Sequence, residues 1–331
     1  LKRNFVPSDS ILRLWLHNLG ITEIPVSYQV VIGLSLIGAL LKRGIYVDQE
    51  EWRVYPNLSV LLVGPSGIGK DVVINKAGRV IEYVNPSLTL GVTTIEFLKS
   101  AMVEMGDPAA CYVPANELSA FLGTKDYQKG IAKELTDLLS TNDRVVLGTK
   151  GEGKLVIHRP TLVLHAGSTV DWLQDLPDNS LSGGFLPRFV IVCEEYGSRH
   201  VAWVKYDYDK LTRMAAREAG AEFKRRVKEL VGDLLSGTRY RDERELTPTK
   251  GAEEFYRNWY HNRFNYFSVG VKAYANRSRD QMHRLAMLMA VSRGHTYLEE
   301  TDYTFAADLM DYIAKGIDGV VAPMLKRRRQ R

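Results

Sequence analysis

Cysteine is scarce in this chain: two residues in 331, Cys111 and Cys193, are too few and too far apart for a disulfide framework or a zinc-ligand spacing. Each lies in an apolar, strand-like run, so buried free thiols in a reducing cytosol are expected. Long hydrophobic runs are missing too. The longest, VVIGLSLIGALL (Val30 to Leu41), has twelve residues, against the about 20 that cross a bilayer. It reads as a core helix, and no membrane partner is expected. No charged, apolar and small-residue leader and no lipidation motif is present, which points to a cytoplasmic location. The start at Leu1 rather than Met suggests a fragment or a processed chain. A surplus of one charge sign is also lacking outside the end. Of 44 Lys and Arg, five fall in KRRRQR (Lys326 to Arg331), which leaves 39 against 39 Asp and Glu elsewhere. The basicity is therefore a tail, either a solvated end or a nonspecific phosphate contact. Any nucleic-acid surface in the body has to be local.

What is present is an ordinary globular composition, 45% hydrophobic and 25% charged, with length for one large or two modest domains. Up to about Arg53 the apolar residues of SILRLWLHNL and YQVVIGLSLIGALLKRG recur at i, i+3 and i+4. The second run closes on Gly44, and the pattern predicts an N-terminal helical cap over 1–53. Between 54 and 200 the short runs LSVLLV, ACYVPA, TLVLHA and RFVIVC alternate with helical stretches at Lys70 to Val84, Thr94 to Met105 and Gly130 to Ser140. Strands buried on both faces read this way, which predicts an α/β fold with a doubly wound, mainly parallel sheet. From Tyr206 onward strand signals fade. Residues 201–331 read as a helical lid carrying the basic tail, interrupted by the polar connector GTRYRDERELTPT.

The stretch GPSGIGKD (Gly64, Pro65, Ser66, Gly67, Ile68, Gly69, Lys70, Asp71) follows the first of these strands and opens a helix. In that context glycines let successive backbone N–H groups face phosphates, the helix N-terminus adds partial positive charge, and Lys70 reaches the β- and γ-phosphates. This is the pattern of a P-loop for ATP and Mg2+; the alternative is a glycine turn that binds nothing. Asp71 stands where a hydroxyl residue ordinarily meets the metal. About 45 residues on, the strand ACYVPA ends in Asn116-Glu117, where P-loop ATPases carry a carboxylate for magnesium and often a glutamate for the attacking water. Glu117 is the candidate to polarise water, or else a solvated glutamate at a strand end. Asp71 and Asn116 read as an exchange, with the carboxylate on the loop and the neutral amide on the strand. The charge count at the metal is then kept, and Asp71, Asn116 and Glu117 are the metal-side residues. The competing reading has Asp71 capping the helix.

A third strand, TLVLHAGST, ends in Ser168-Thr169, where Thr169 can sense a γ-phosphate or simply terminate the strand. GGFLPRFVIV places Arg188 just before a buried strand. In an oligomeric ATPase an arginine there reaches the neighbour's γ-phosphate; elsewhere a lone arginine at a strand start is structural. Finally, RVVLGTKGEGKLVIHRP reads as a β-hairpin insertion over 144–159 with Lys150 and Lys154 at its tip and His158 nearby. It can track a nucleic-acid backbone through a pore, or be a solvated tip.

Taken in order, GPSGIGKD, NELSAFLG, the lysine-tipped hairpin, HAGSTVDWL and GGFLPRFV resemble a phage and mobile-element family of primase-associated, helicase-like AAA+ ATPases. The hairpin placement is similar to that of superfamily-three and minichromosome-maintenance helicases. The resemblance covers about Tyr28 to Ala314 and implies an AAA+-like P-loop NTPase that forms a ring, expected to be a hexamer, in a bacterial or phage-infected cell. It also implies ATP-driven movement on single- or double-stranded DNA, with a primase or another replication protein as partner. In such lids an arginine near the start of the helix ANRSRDQMHRLAMLMAVSR approaches the nucleotide, a place that Arg277 and Arg279 match loosely. Asp71 and Asn116 depart from the family pattern and bear on hydrolytic competence. The other reading is a nucleotide-switched DNA-binding scaffold or loader with little or no hydrolysis.

Overall fold

The structure, a computed structural model, describes every residue except 92–93, 123–124, 150–152, 176–183, 237–242, 267–271 and 330–331. The chain begins with helices α1 (Leu12–Asn18) and α2 (Val26–Leu41). All sixteen residues of α2 are buried, as a helix that is apolar all round requires. The expected N-terminal cap is therefore the centre of the molecule: α2 packs on α1, on the sheet described below and on helices from both later thirds of the chain. The helical expectation up to Arg53 also fails at its end. Strands β1 (Ile45–Asp48) and β2 (Arg53–Val54) pair antiparallel.

The core sheet starts at β3 (Val60–Val63), followed by α3 (Lys70–Val84) and α4 (Ile95–Glu104). Next come β4 (Ala110–Ala115), α5 (Leu118–Leu122) and α6 (Lys125–Leu138), then the antiparallel hairpin β5 (Arg144–Thr149) and β6 (Gly153–His158). Strand β7 (Thr161–Ser168), helix α7 (Val170–Asp175) and strand β8 (Val190–Cys193) complete it. The strands lie in the order β4-β7-β3-β8 and every pairing is parallel, so the protein is an α/β fold with a four-stranded all-parallel sheet. Their apolar runs follow from burial on both faces. Because β7 sits between β4 and β3, the carboxyl ends of these three strands are adjacent, and ligands of open parallel sheets collect at such ends.

The rest is α8 (Val204–Asp207), α9 (Lys210–Leu235), the two-residue strand β9 (Arg244–Glu245), α10 (Lys250–Asn262), α11 (Lys272–Ser292) and α12 (Glu300–Arg329). Strand β9 lies inside the stretch read as a polar connector; it pairs parallel with β1, and that partner some 200 residues earlier is what makes it a strand. Helices α11 and α12 share one hydrophobic core with α2 and the sheet, and no helix among the described residues is long and apolar enough to cross a membrane.

Polar groups inside this core tie its layers together. Ser35 of α2 donates to Leu58 O, so it accepts from His165 Nε2 (2.7 Å), and His165 Nδ1 then accepts from Tyr112 OH (3.1 Å). Burial holds His165 neutral, its pKa pushed down to about 3. Tyr28 OH donates to Val63 O (2.6 Å) and so pins α2 to the end of β3. Glu194, just past β8, accepts hydrogen bonds from Ser27 of α2 and Tyr312 of α12.

Candidate functional site

The loop Gly64–Gly69 leaves β3 and enters α3 without a side-chain cap. Its turn needs glycine: Gly67 and Gly69 have φ of 82° and 90°, the left-handed region. Ile68 is buried and anchors the loop from within. Free N–H groups of the first helical turn, together with the helix dipole, make this end attractive to anions. Lys70 Nζ donates to Gly64 O and Pro65 O, both at 2.7 Å. Burial holds its pKa below the ordinary lysine value, opposed by the charges of Asp71 and Glu117.

Around this loop lies a cleft of about 650 Å3. Of the residues expected from sequence, Ser66, Gly67, Lys70, Asp71, Asn116, Glu117 and Thr169 line it. Asp71 is exposed in the first turn of α3. Asn116 donates from Nδ2 to Asn75 Oδ1 (3.4 Å), while its Oδ1 is buried with no hydrogen-bond partner. Glu117 is exposed, with Ser119 Oγ 3.5 Å from its Oε2. Thr169 Oγ1 accepts from Trp172 N (3.3 Å) and so caps α7, which leaves its hydroxyl proton free to turn into the cleft. Ser168 of the Ser168-Thr169 pair lines the cleft too, and so do Ser119, Gly167 and Trp172, which are not among the residues expected from sequence. Gly167 matters for spacing: a Cβ there would meet Asn116 O at 2.3 Å, so only glycine lets β4 and β7 close up beside Lys70.

Gly64, Pro65, Ile68 and Gly69 shape the loop rather than line this cleft. Pro65 lines an adjoining cavity of about 580 Å3 with Pro25, Val26, Glu194, Tyr196 and Gly319. Arg188 lies in the turn before β8, also outside the cleft lining. Its Nε and Nη2 donate to Ser140 Oγ (3.0 and 2.9 Å), and Nη1 donates to Gly184 O. Burial, then repulsion from Arg277 and Arg284 opposed by Asp137, pushes it down to about 10. Gln281 Nε2, donating to Pro187 O and Phe189 O, docks α11 on that turn and brings Arg277 and Arg284 to it. Arg279 goes elsewhere: it pairs with Asp280 (3.0 Å) and lies 4.6 Å over the Trp52 ring.

The hairpin has two faces. Val145 pairs with Ile157 and Leu147 with Leu155, on the side that packs against α4. The open side carries Arg144 opposite His158, and Lys154 opposite Gly148. Arg144, Lys154 and His158 are all exposed. Lys150 lies outside the described residues. Arg144 escaped the sequence reading because only the cross-strand register puts it beside His158.

No protein-family model matches this chain, and no curated protein matches it.

Proposed function

We propose that this chain is an ATPase that binds ATP and Mg2+ at residues 64–71 and couples hydrolysis to movement on DNA as a ring. The observation that carries this reading is the convergence of Lys70, Asp71, Asn116, Glu117 and Thr169, from three adjacent strand ends, on one cleft. The partnerless buried Oδ1 of Asn116 suits a metal ion or its water shell, which fits the group to the residues present. The adjoining cavity beyond Pro65 gives room for a nucleoside.

Bound ATP with Mg2+ would supply the phosphoanhydride and the charge that polarises it. Lys70 Nζ, held on two loop carbonyls, exchanges them for phosphate oxygens. Asp71 and Asn116 present one carboxylate and one amide oxygen, a single negative charge between them. Glu117 takes the proton of the attacking water at a carboxylate oxygen, with Ser119 beside Oε2 to orient it. The gathering of Arg188, Arg277 and Arg284, with Asp137 and Asp280 as facing acids, offers net positive charge to a neighbouring subunit's nucleotide, which is the reason for a ring. The open hairpin face supplies the DNA contact.

A nucleotide-switched scaffold is the second reading. It is favoured by Arg188 being held by Ser140 and Gly184 of its own chain, which leaves fewer donors for a neighbour. ATP turnover with and without single-stranded DNA, alongside mass in solution with ATP, separates the two. DNA-stimulated turnover by a ring supports the motor; ATP-dependent assembly without turnover supports the scaffold.

Two sets of variants probe the details. If Asp71 and Asn116 share a metal, Asp71→Ser and Asn116→Asp each lower magnesium-dependent turnover by about tenfold, and the double variant recovers most of it. Additive losses would separate the two residues. Replacing Arg144 and Lys154 with glutamine should leave basal turnover intact while weakening DNA binding, with a salt slope about 1.4 units shallower for single strands. An unchanged slope makes the hairpin an ordinary solvated tip.

A further inference from the structure

Outside both the cleft lining and the hairpin, a groove of about 310 Å3 runs between α3 and α9. Lys76 and Arg79, one turn apart on α3, form one wall; Arg217 and Lys224, two turns apart on α9, form the other. Its floor is closed by Trp15 and Phe223, both buried, with ring centroids 5.4 Å apart. Lys224 also links the groove to Tyr83 of α3. That ring is 51% exposed, with the Lys224 and Lys228 ammonium groups 5.9 and 5.5 Å from its centroid.

The charged side chains lining this groove are all cationic. No carboxylate lines it, and none of its cations nor Lys228 enters an ion pair among the described residues. Of the nearby acids, Glu222 and Glu229 are held by Arg225, while Glu218 of α9 and Glu82 of α3 are exposed and lie outside the groove lining. Burial, then Arg79 and Lys224, hold Lys76 below the ordinary lysine value. Gathering five cations along two packed helices costs self-repulsion, which a polyanion relieves as it displaces counterions.

We propose that this groove is a second nucleic-acid site, which takes the sugar–phosphate backbone of a single strand while Tyr83 offers its ring to a base. From Arg217 to Lys228 the helix spans about 16 Å, the length of a few consecutive phosphates along one extended strand. Cations in a groove with one half-exposed aromatic ring at its edge are the composition of single-strand channels. An acidic peptide would want an apolar slot for anchoring, and the floor rings are buried and leave none. A membrane surface meets convex faces, whereas this one is concave. The inference does not rest on the nucleotide reading, since the groove needs no nucleotide to act.

The test is anisotropy of a labelled oligothymidylate of about 20 nucleotides, without ATP, across a salt series. The variant replaces Arg79, Arg217 and Lys228, all exposed, with glutamine. Binding should weaken about tenfold or more at about 0.1 M salt, and the slope of log affinity against log salt should become shallower by about 2 units. Tyr83→Ala should weaken binding about tenfold and Tyr83→Phe hardly at all, because the ring and not the hydroxyl stacks. Unchanged affinity and slope in the triple variant overturn the proposal. They do so even if the Arg144/Lys154 variant abolishes binding, in which case the hairpin alone holds DNA and the proposed function survives. Capture of polyglutamate or of phosphatidylserine vesicles that depends on the three cations, with oligonucleotide binding unaffected, overturns it in favour of an acidic protein or a membrane.

Discussion

Lys70→Ala is expected to lower ATP affinity by about 100-fold or more while leaving the fold intact. The ammonium makes its two hydrogen bonds only to carbonyls of its own loop, at Gly64 and Pro65. Losing them costs the folded state only about 1 kcal/mol, because Lys70 is half-buried at the edge of the cleft and the carbonyls it leaves can turn to water there. Losing the charge opposite a triphosphate costs far more: charge-assisted hydrogen bonds contribute about 1.5–3 kcal/mol each, and each 1.4 kcal/mol is about a factor of ten in affinity. Equilibrium binding of labelled ATP and a thermal melt check both halves. Near-normal affinity in a folded variant would remove the basis of the proposed function.

Arg293→Ala should produce the largest loss of stability among the polar substitutions considered, about 3 kcal/mol. Arg293 sits where α11 ends, with Nη1 3.0 Å from both Asp302 Oδ1 and Glu299 Oε2, and Nε 2.8 Å from Asp9 Oδ2. Asp302 is fully buried, and its other oxygen accepts from Glu299 N (2.8 Å). Burial raises the Asp302 pKa, opposed by that backbone bond and by Arg293. Removing the arginine therefore leaves an unpaired buried carboxylate, which is the costly case. The sign with pH follows. A carboxyl whose pKa is raised by folding contributes stability that is present below the ordinary value of about 3.9 and lost as pH rises through the raised value. Without Arg293 that rise is larger, so the penalty should be greatest near neutrality and shrink towards acid pH. Denaturant midpoints of parent and variant at about pH 7 and about pH 4.5 measure it. Asp302→Asn in the same chain should restore part of the loss, and a penalty independent of pH would show that Asp302 is not its source.

Much of the sheet was legible because a strand buried on both faces must be apolar throughout, and helix α3 runs over the predicted Lys70–Val84 for a similar reason: Gly69 and Lys70 mark its start. The cleft residues were legible because strand ends carry them, and short polar pairs such as Asn116-Glu117 stand out after apolar runs. What was not legible depends on distant partners. The apolar run of α2 announces burial, but whether a buried helix is a cap or a centre is decided by what packs on it. Gly167 looks like any strand glycine until Asn116 O is seen against it. Arg188 and Arg277, each ambiguous alone, meet only through the Gln281 bonds to the turn before β8. The two basic walls of the groove lie on helices about 140 residues apart in sequence, and neither charge pattern names the other.

The carboxylate of Glu194 is shared by Ser27 and Tyr312, residues from the opposite ends of the chain, beside the strand end that launches the glycine loop. A ribosome making this protein releases Tyr312 only after the whole sheet has emerged. Until then β8 lacks the helix that covers it and the loop lacks one of its anchors. The surroundings of the glycine loop thus reach their final geometry only after α12 has been made, and partly made chains carry the glycine motif without its finished setting.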